Sequence, residues 1–184
     1  MKTNLCFILC GLLLFCAACD KDGPPKPVPP ITQENTFSCK INGEVFVPED
    51  HFHGLSPGFG MKASILANNS WKFQLADKQR DIYIYIYNVT ATGEYTITAS
   101  GGYNPSFVGQ TENLAEMRDK YMPEIDYISI NNNEIIEILE LKPDIHIVLQ
   151  FDEITLVNNT DPTDVLVLSE GKLNINRETL NAEE

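Results

Sequence analysis

The sequence predicts an all-β domain over residues 36–178, an antiparallel β-sandwich or flattened barrel with one short helix. Three observations carry this. Short apolar runs alternate with polar residues at a period of two, the spacing of a strand with one dry and one wet face. Asn-Gly, Asn-Asn and isolated Gly punctuate the runs, as turns between antiparallel strands do. A single window, 111–123, trades that period for helical spacing. The result is about ten short strands, with no visible repeat.

The elements follow in order. In "TFSCKINGEVFVP" the pair Asn42-Gly43 separates two β-prone runs, and a two-residue loop pairs Ile41 with Glu44 and Cys39 with Phe46. Phe37, Cys39, Ile41 and Phe46 then share one face. Strands follow at 61–66, at 71–76 after Asn68-Asn69, at 82–87, and at 94–99 after Gly93. Trp71, Phe73 and Leu75 oppose Lys72, Gln74 and Ala76, which suits a sheet with one wet face. "TENLAEMRDKYMP" places Asn113 and Glu116 as a capping box, with Leu114, Met117 and Tyr121 at helical spacing before Pro123, so the helix is expected there. "IDYISINNNEIIEILEL" is either a hairpin about residues 131–133 or a strand running into a helix, and its isoleucines favour strands. Residues 144–156 form a long strand with Ile145, Ile147, Leu149 and Phe151 on one side. Strands at 165–168 and 171–175 close the domain, and residues 179–184 form a frayed acidic tail after Arg177.

Two segments precede the domain. Lys2 and the apolar run 5–18 have the make-up of a signal peptide spanning 1–18, and the run is shorter than the roughly 20 residues that cross a bilayer as a helix. Ala17 and Ala18 before Cys19 resemble a bacterial lipobox, which implies a diacylglyceryl group on the Cys19 sulfur and acylation of the new amino terminus. Cys16 stands where a lipobox usually has Leu, and plain secretory cleavage after Ala18 is the alternative. Residues 19–35 form the lipidated cysteine and a tether. "DKDGPPKPVPP" has five prolines in its last seven residues and favours extended polyproline II, with a reach of roughly 40–50 Å from Asp20 to Asn35 at about 3 Å per residue. Lipid chains contribute about 0.8 kcal/mol per buried methylene, so the protein is expected to be held at a membrane through Cys19 without spanning it.

Composition narrows the partners. Without residues 1–18 the chain of 184 keeps 166 residues, with 12 basic against 26 acidic, which disfavours nucleic acid and anionic lipid surfaces. Cys6, Cys10 and Cys16 leave with the leader and Cys19 takes the lipid. Cys39 remains alone, without an intramolecular disulfide, and is expected as a small buried hydrophobe.

The leader ending in Cys19, the Pro-rich tether, the hairpin "FSCKINGEVFVP", the stretch "TGEYTI" at 92–97 and "LSEGKLNI" at 168–175 resemble the small uncharacterised lipoproteins of Bacteroidota. The resemblance implies a β-sandwich lipoprotein and brings no active site. In that phylum acidic residues behind the lipidated cysteine resemble a signal for export to the cell surface, which Asp20, Lys21 and Asp22 fit loosely. In enterobacteria Asp at that position would instead suggest retention at the inner membrane.

Candidate constellations are few. His51 and His53 beside Asp50 would share a strand face as a metal pair needs, but a third ligand is missing, His146 lies in another strand, and Gly54, Pro57 and Gly58 mark a solvated turn. Asp161, Thr163 and Asp164 match no complete calcium loop and read as a polar turn around Pro162. No Gly-x-Ser-x-Gly elbow or phosphate loop occurs, so no catalytic set, cofactor or metal is predicted and the protein is not expected to be an enzyme. "DIYIYIYN" at 81–88 is the unusual surface candidate. With Ile82, Ile84 and Ile86 in the core, Tyr83, Tyr85 and Tyr87 line the opposite face and could hold a ligand such as a sugar, although tyrosine is also simply a good strand residue. The expectation is a monomeric, lipid-anchored outer-membrane protein on the cell surface or facing the periplasm, a binding or accessory module for an extracellular glycan or protein. A structural envelope protein, or a hydrolase with a site assembled from distant loops, is the alternative.

Overall fold

The structure, a computed structural model, describes residues 33–181 apart from 54–55, 103, 105, 108 and 123–125, with the backbone alone for 51–53 and 56–57. The expected leader, Cys19 and most of the tether lie outside these residues.

The first hairpin forms as its turn chemistry demands. β1 (Thr36–Ile41) and β2 (Glu44–Phe46) pair Cys39 with Phe46 and Ile41 with Glu44, and both Asn42 (φ 49°) and Gly43 (φ 86°) adopt the positive φ of a tight two-residue turn. Phe37, Cys39, Ile41 and Phe46 are all buried in the main core. β3 (His51–His53) and β4 (Ser56–Gly58) make a separate two-stranded ladder where a loop was expected. β5 (Met61–Leu66), β6 (Ser70–Ala76) and β7 (Arg80–Ile86) then run as a meander, with Asn68 and Asn69 in left-handed backbone at the first turn.

The remaining strands are β8 (Gly93–Thr96), β9 (Leu114–Asp119), β10 (Asp126–Ser129), β11 (Ile135–Lys142), β12 (His146–Asn158) and β13 (Val165–Asn176). The large sheet is antiparallel and curls into a half-barrel. Its order runs β2-β1-β13-β12-β10-β9-β7-β6-β5, and β12 also pairs with β11, which carries β8. The long β12 therefore makes the sheet fork. Its residues 146–151 pair with β11, and its residues 156–158 pair with β10. The buried residues of β12 change from Ile147, Leu149 and Phe151 to Ile154 and Leu156, yet both sets belong to the same core cluster. The β12–β13 ribbon thus presents one face to the core at one end and the other face at the other, a consequence of strong coiling.

Four expectations are corrected. The described part of the expected helix, residues 111–122, is not helical, because residues 114–119 are β9, a central strand hydrogen-bonded to β7 on one edge and β10 on the other. Local cap signals stabilise a helix by about 1 kcal/mol, less than two ladders and burial on both faces provide. The strands around 131–133 both exist but do not form a hairpin: β10 and β11 lie end to end along β12. The two closing strands are one, β13, which carries Glu170 at φ 53° and a register shift against β1 between Ser38 and Lys40, the mark of a β-bulge. Of the expected tail at 179–184, the described residues 179–181 are docked rather than frayed, with Leu180 packed on the core and the Asn181 side-chain amide donating to the Met61 carbonyl at 3.0 Å, and 182–184 lie outside the described residues.

Candidate functional site

Strict alternation separates the two faces of β7 as expected. Ile82, Ile84 and Ile86 enter the main core, and Tyr83 and Tyr85 point the other way. The expected outer platform is nevertheless covered: Tyr83 is 7% and Tyr85 2% exposed, and Tyr87 is half-buried beside them. The cover is Phe107, from the segment 97–113 between β8 and β9, itself 1% exposed. Its ring stacks on Tyr85 with centroids 5.1 Å apart and 9° between planes, and it tilts against Tyr83 at 6.2 Å. Lys72 Nζ lies 5.7 Å from the Tyr83 ring and 5.6 Å from the Phe107 ring, and burial, with Lys62 nearby, lowers its pKa. Phe107 holds φ 52°, a left-handed backbone that costs a bulky residue about 1–2 kcal/mol and that the ring's burial offsets.

The covering segment is fastened to the sheet by polar groups. Thr98 N–H and hydroxyl both donate to the Asn113 carbonyl, and Ser100 N–H donates to the Ser129 carbonyl. Asn113, expected as a helix cap, instead bridges strands: its Oδ1 accepts from Tyr87 N–H at 2.8 Å and its Nδ2 donates to the Thr96 carbonyl at 2.9 Å. Glu116, the expected partner in that cap, is fully buried opposite Tyr83 in the β7–β9 ladder. Its Oε1 accepts from the Ser100 hydroxyl at 2.7 Å and its Oε2 from Asn104 N–H at 2.9 Å. Burial raises the Glu116 pKa and Asp126 adds to the rise, while the bonds from Ser100 and Asn104 and the charge of Arg118 oppose it. The Ser100 hydroxyl has one hydrogen and two acceptors in reach, Glu116 and the Gly102 carbonyl at 3.1 Å. Ionised Glu116 takes it. A protonated Glu116 can donate to Ser100 Oγ and free the hydroxyl for Gly102.

Beside this fastening lies an open hollow of about 490 Å³, lined by Gly101, Gly102, Asn104, Gln110, Asp126 and Asn159. Asp126 accepts from Arg118 Nε at 2.7 Å and Nη2 at 3.2 Å, a bidentate pair across the β9–β10 ladder. Asn104 Oδ1 accepts from Ser106, leaving its Nδ2 without a protein partner among the described residues. The side-chain amides of Gln110 and Asn159 likewise have none there, whereas the Gln110 backbone carbonyl accepts from the Tyr85 hydroxyl at 3.0 Å. The covered tyrosines and the hollow are therefore joined through Gln110.

Other candidates separate. A groove of about 360 Å³ near β11 and β12 has acidic walls, but Glu134 accepts from Thr155 and Glu137 accepts from Gln150. His146 Nε2 is 2.8 Å from Asn174 Oδ1. Asp161 accepts from Thr163 within its turn, and Asp164 accepts from the Tyr127 hydroxyl and the Asn158 amide. The side chains of His51 and His53 are not among those described. Among the described residues, no group of three His, Cys, Asp or Glu is placed to hold a metal ion. Cys39 is buried as expected, and desolvation pushes its thiol up to about 12. Gln110, Asn159 and Asp126 drew no notice as a sequence, since they are ordinary loop and edge residues brought together by strand pairing. The one available signal was the stretch without periodicity at 100–110, between the expected strand and the expected helix.

Comparison with protein-family models, with curated proteins and with solved structures found no match to this chain.

Proposed function

We propose that this protein is a lipid-anchored module of the bacterial outer membrane, displayed at the cell surface, that binds an extracellular glycan in the hollow between the 97–113 segment and β10. The observation that carries the reading is the hollow itself: amide groups of Asn104, Gln110 and Asn159 with unfilled hydrogen-bonding capacity beside the Asp126 carboxylate, on a rigid sheet. Tyr83, Tyr85 and Tyr87 support this site from beneath, through the Tyr85 bond to Gln110, rather than as an open stacking platform. The anchor rests on the Cys19 lipobox, and the Pro-rich tether would hold the domain off the membrane.

Retention of the detergent-solubilised full chain on immobilised polysaccharides tests the binding, and Asn159→Ala should weaken it while leaving the melting temperature close to the parent's. Retention indifferent to that change would move the site elsewhere. For the anchor, Cys19→Ala should abolish labelling by a fatty-acid analogue and release the protein from membranes. Protease added to intact cells should remove the domain, and protection until the outer membrane is permeabilised would place it in the periplasm.

A further inference from the structure

We infer that the hollow selects neutral, hydroxyl-rich sugars over anionic polysaccharides, a refinement that rests on the glycan reading above. A sugar hydroxyl both donates and accepts, so it matches a wall that mixes donors and acceptors at close spacing. The hollow has that mixture. Gln110 and Asn159 each offer an NH₂ and a carbonyl with no protein partner among the described residues, and Asn104 adds an NH₂ whose own carbonyl oxygen is occupied by Ser106. Asp126 supplies a carboxylate of which Arg118 engages both oxygens by one bond each, and two oxygens together offer about four acceptor sites.

Anionic sugars are mismatched. A uronate or sulfate would seek donors alone and would meet Asp126, with the deeper Glu116 carboxylate behind Asn104, on a chain of net charge −13. Arg118 holds Asp126 in a bidentate pair. Bare walls favour an approaching ring as well. A Cβ added at Gly101 or Gly102 would meet no atom within 4 Å, so the backbone there leaves the space open.

Affinity electrophoresis of the full chain in detergent, against a neutral glucan, mannan and xylan and against polygalacturonate, tests this. Salt at about 0.5 M cuts the Debye length below about 5 Å and removes attraction due only to net charge. At least one neutral polymer should retard the protein while polygalacturonate does not, and Gln110→Ala and Asn159→Ala should each weaken retardation about three- to tenfold, the range expected for one or two neutral hydrogen bonds. Equal or stronger retardation by polygalacturonate that the same variants weaken would overturn the neutral selectivity and leave the hollow as the binding site. Retardation by none of them, or retardation that ignores both variants, would overturn the glycan reading itself.

Discussion

Replacing Gly171 with alanine should destabilise the protein through one identifiable contact. Gly171 lies opposite Phe151 in the β12–β13 ladder, and the phenyl ring, 3% exposed, lies across the glycine where a side chain would stand. A Cβ built at Gly171 falls 2.0 Å from Phe151 Cζ, 2.2 Å from Cε1 and 2.4 Å from Cε2. Favourable carbon contacts begin near 3.5 Å, so the ring or the backbone must move by about 1.5 Å. Gly171 is not among the glycines with positive φ, so alanine suffers no backbone strain of its own and the cost is steric. Overpacking costs about 1–3 kcal/mol, and complete loss of the ring's burial sets a ceiling of about 3–5 kcal/mol. An intermediate loss of about 2–4 kcal/mol, at about 2–4 °C per kcal/mol for a domain of this size, lowers the melting temperature by roughly 5–15 °C. The control is a double-mutant cycle followed by thermal and urea unfolding. In a Phe151→Leu background the smaller side chain makes room, and Gly171→Ala should then cost less than about 1 kcal/mol. A single Gly171→Ala variant that melts with the parent, or two changes whose costs simply add, would refute the assigned contact.

Two further outcomes follow from buried titratable groups. The folded state holds the Glu116 proton more tightly than the unfolded chain does, so above the ordinary value of 4.5 stability falls as pH rises through the folded pKa. Glu116→Gln cannot titrate, so its melting temperature relative to the parent should climb across that window and stay flat below 4.5; a difference independent of pH would contradict the assignment. Cys39, fully buried with its thiol pushed up to about 12, should resist disulfide reagents at about pH 8 until the protein is unfolded, and rapid labelling of the native protein would show that the β1–β2 hairpin opens readily.

Local chemistry alone determined the parts of this fold that depend on neighbours in the chain. Asn42-Gly43 specifies its turn, and that turn sets the register from Ile41–Glu44 to Cys39–Phe46, because positive φ at both positions is cheap only for such residues. The period of two likewise separated Ile82, Ile84 and Ile86 from the tyrosines of β7, since a strand has no other way to place alternate side chains. What covers each face is a different matter. Asn113 and Glu116 satisfy the local rules for a helix start, yet the segment has β7 on one edge and β10 on the other, and pairing across the chain outweighs a cap. The tyrosines are buried because Phe107 returns over them from a loop, which no alternation within β7 encodes. The hollow belongs wholly to the tertiary structure. Asn104 and Gln110 arrive on the covering segment, Asp126 from the start of β10 and Asn159 from the end of β12, and the β9–β10 and β10–β12 ladders with the Asn159 N–H bond to the Asp126 carbonyl bring them to one wall. Their convergence depends on contacts across tens of residues, whose energies appear only when the sheet closes.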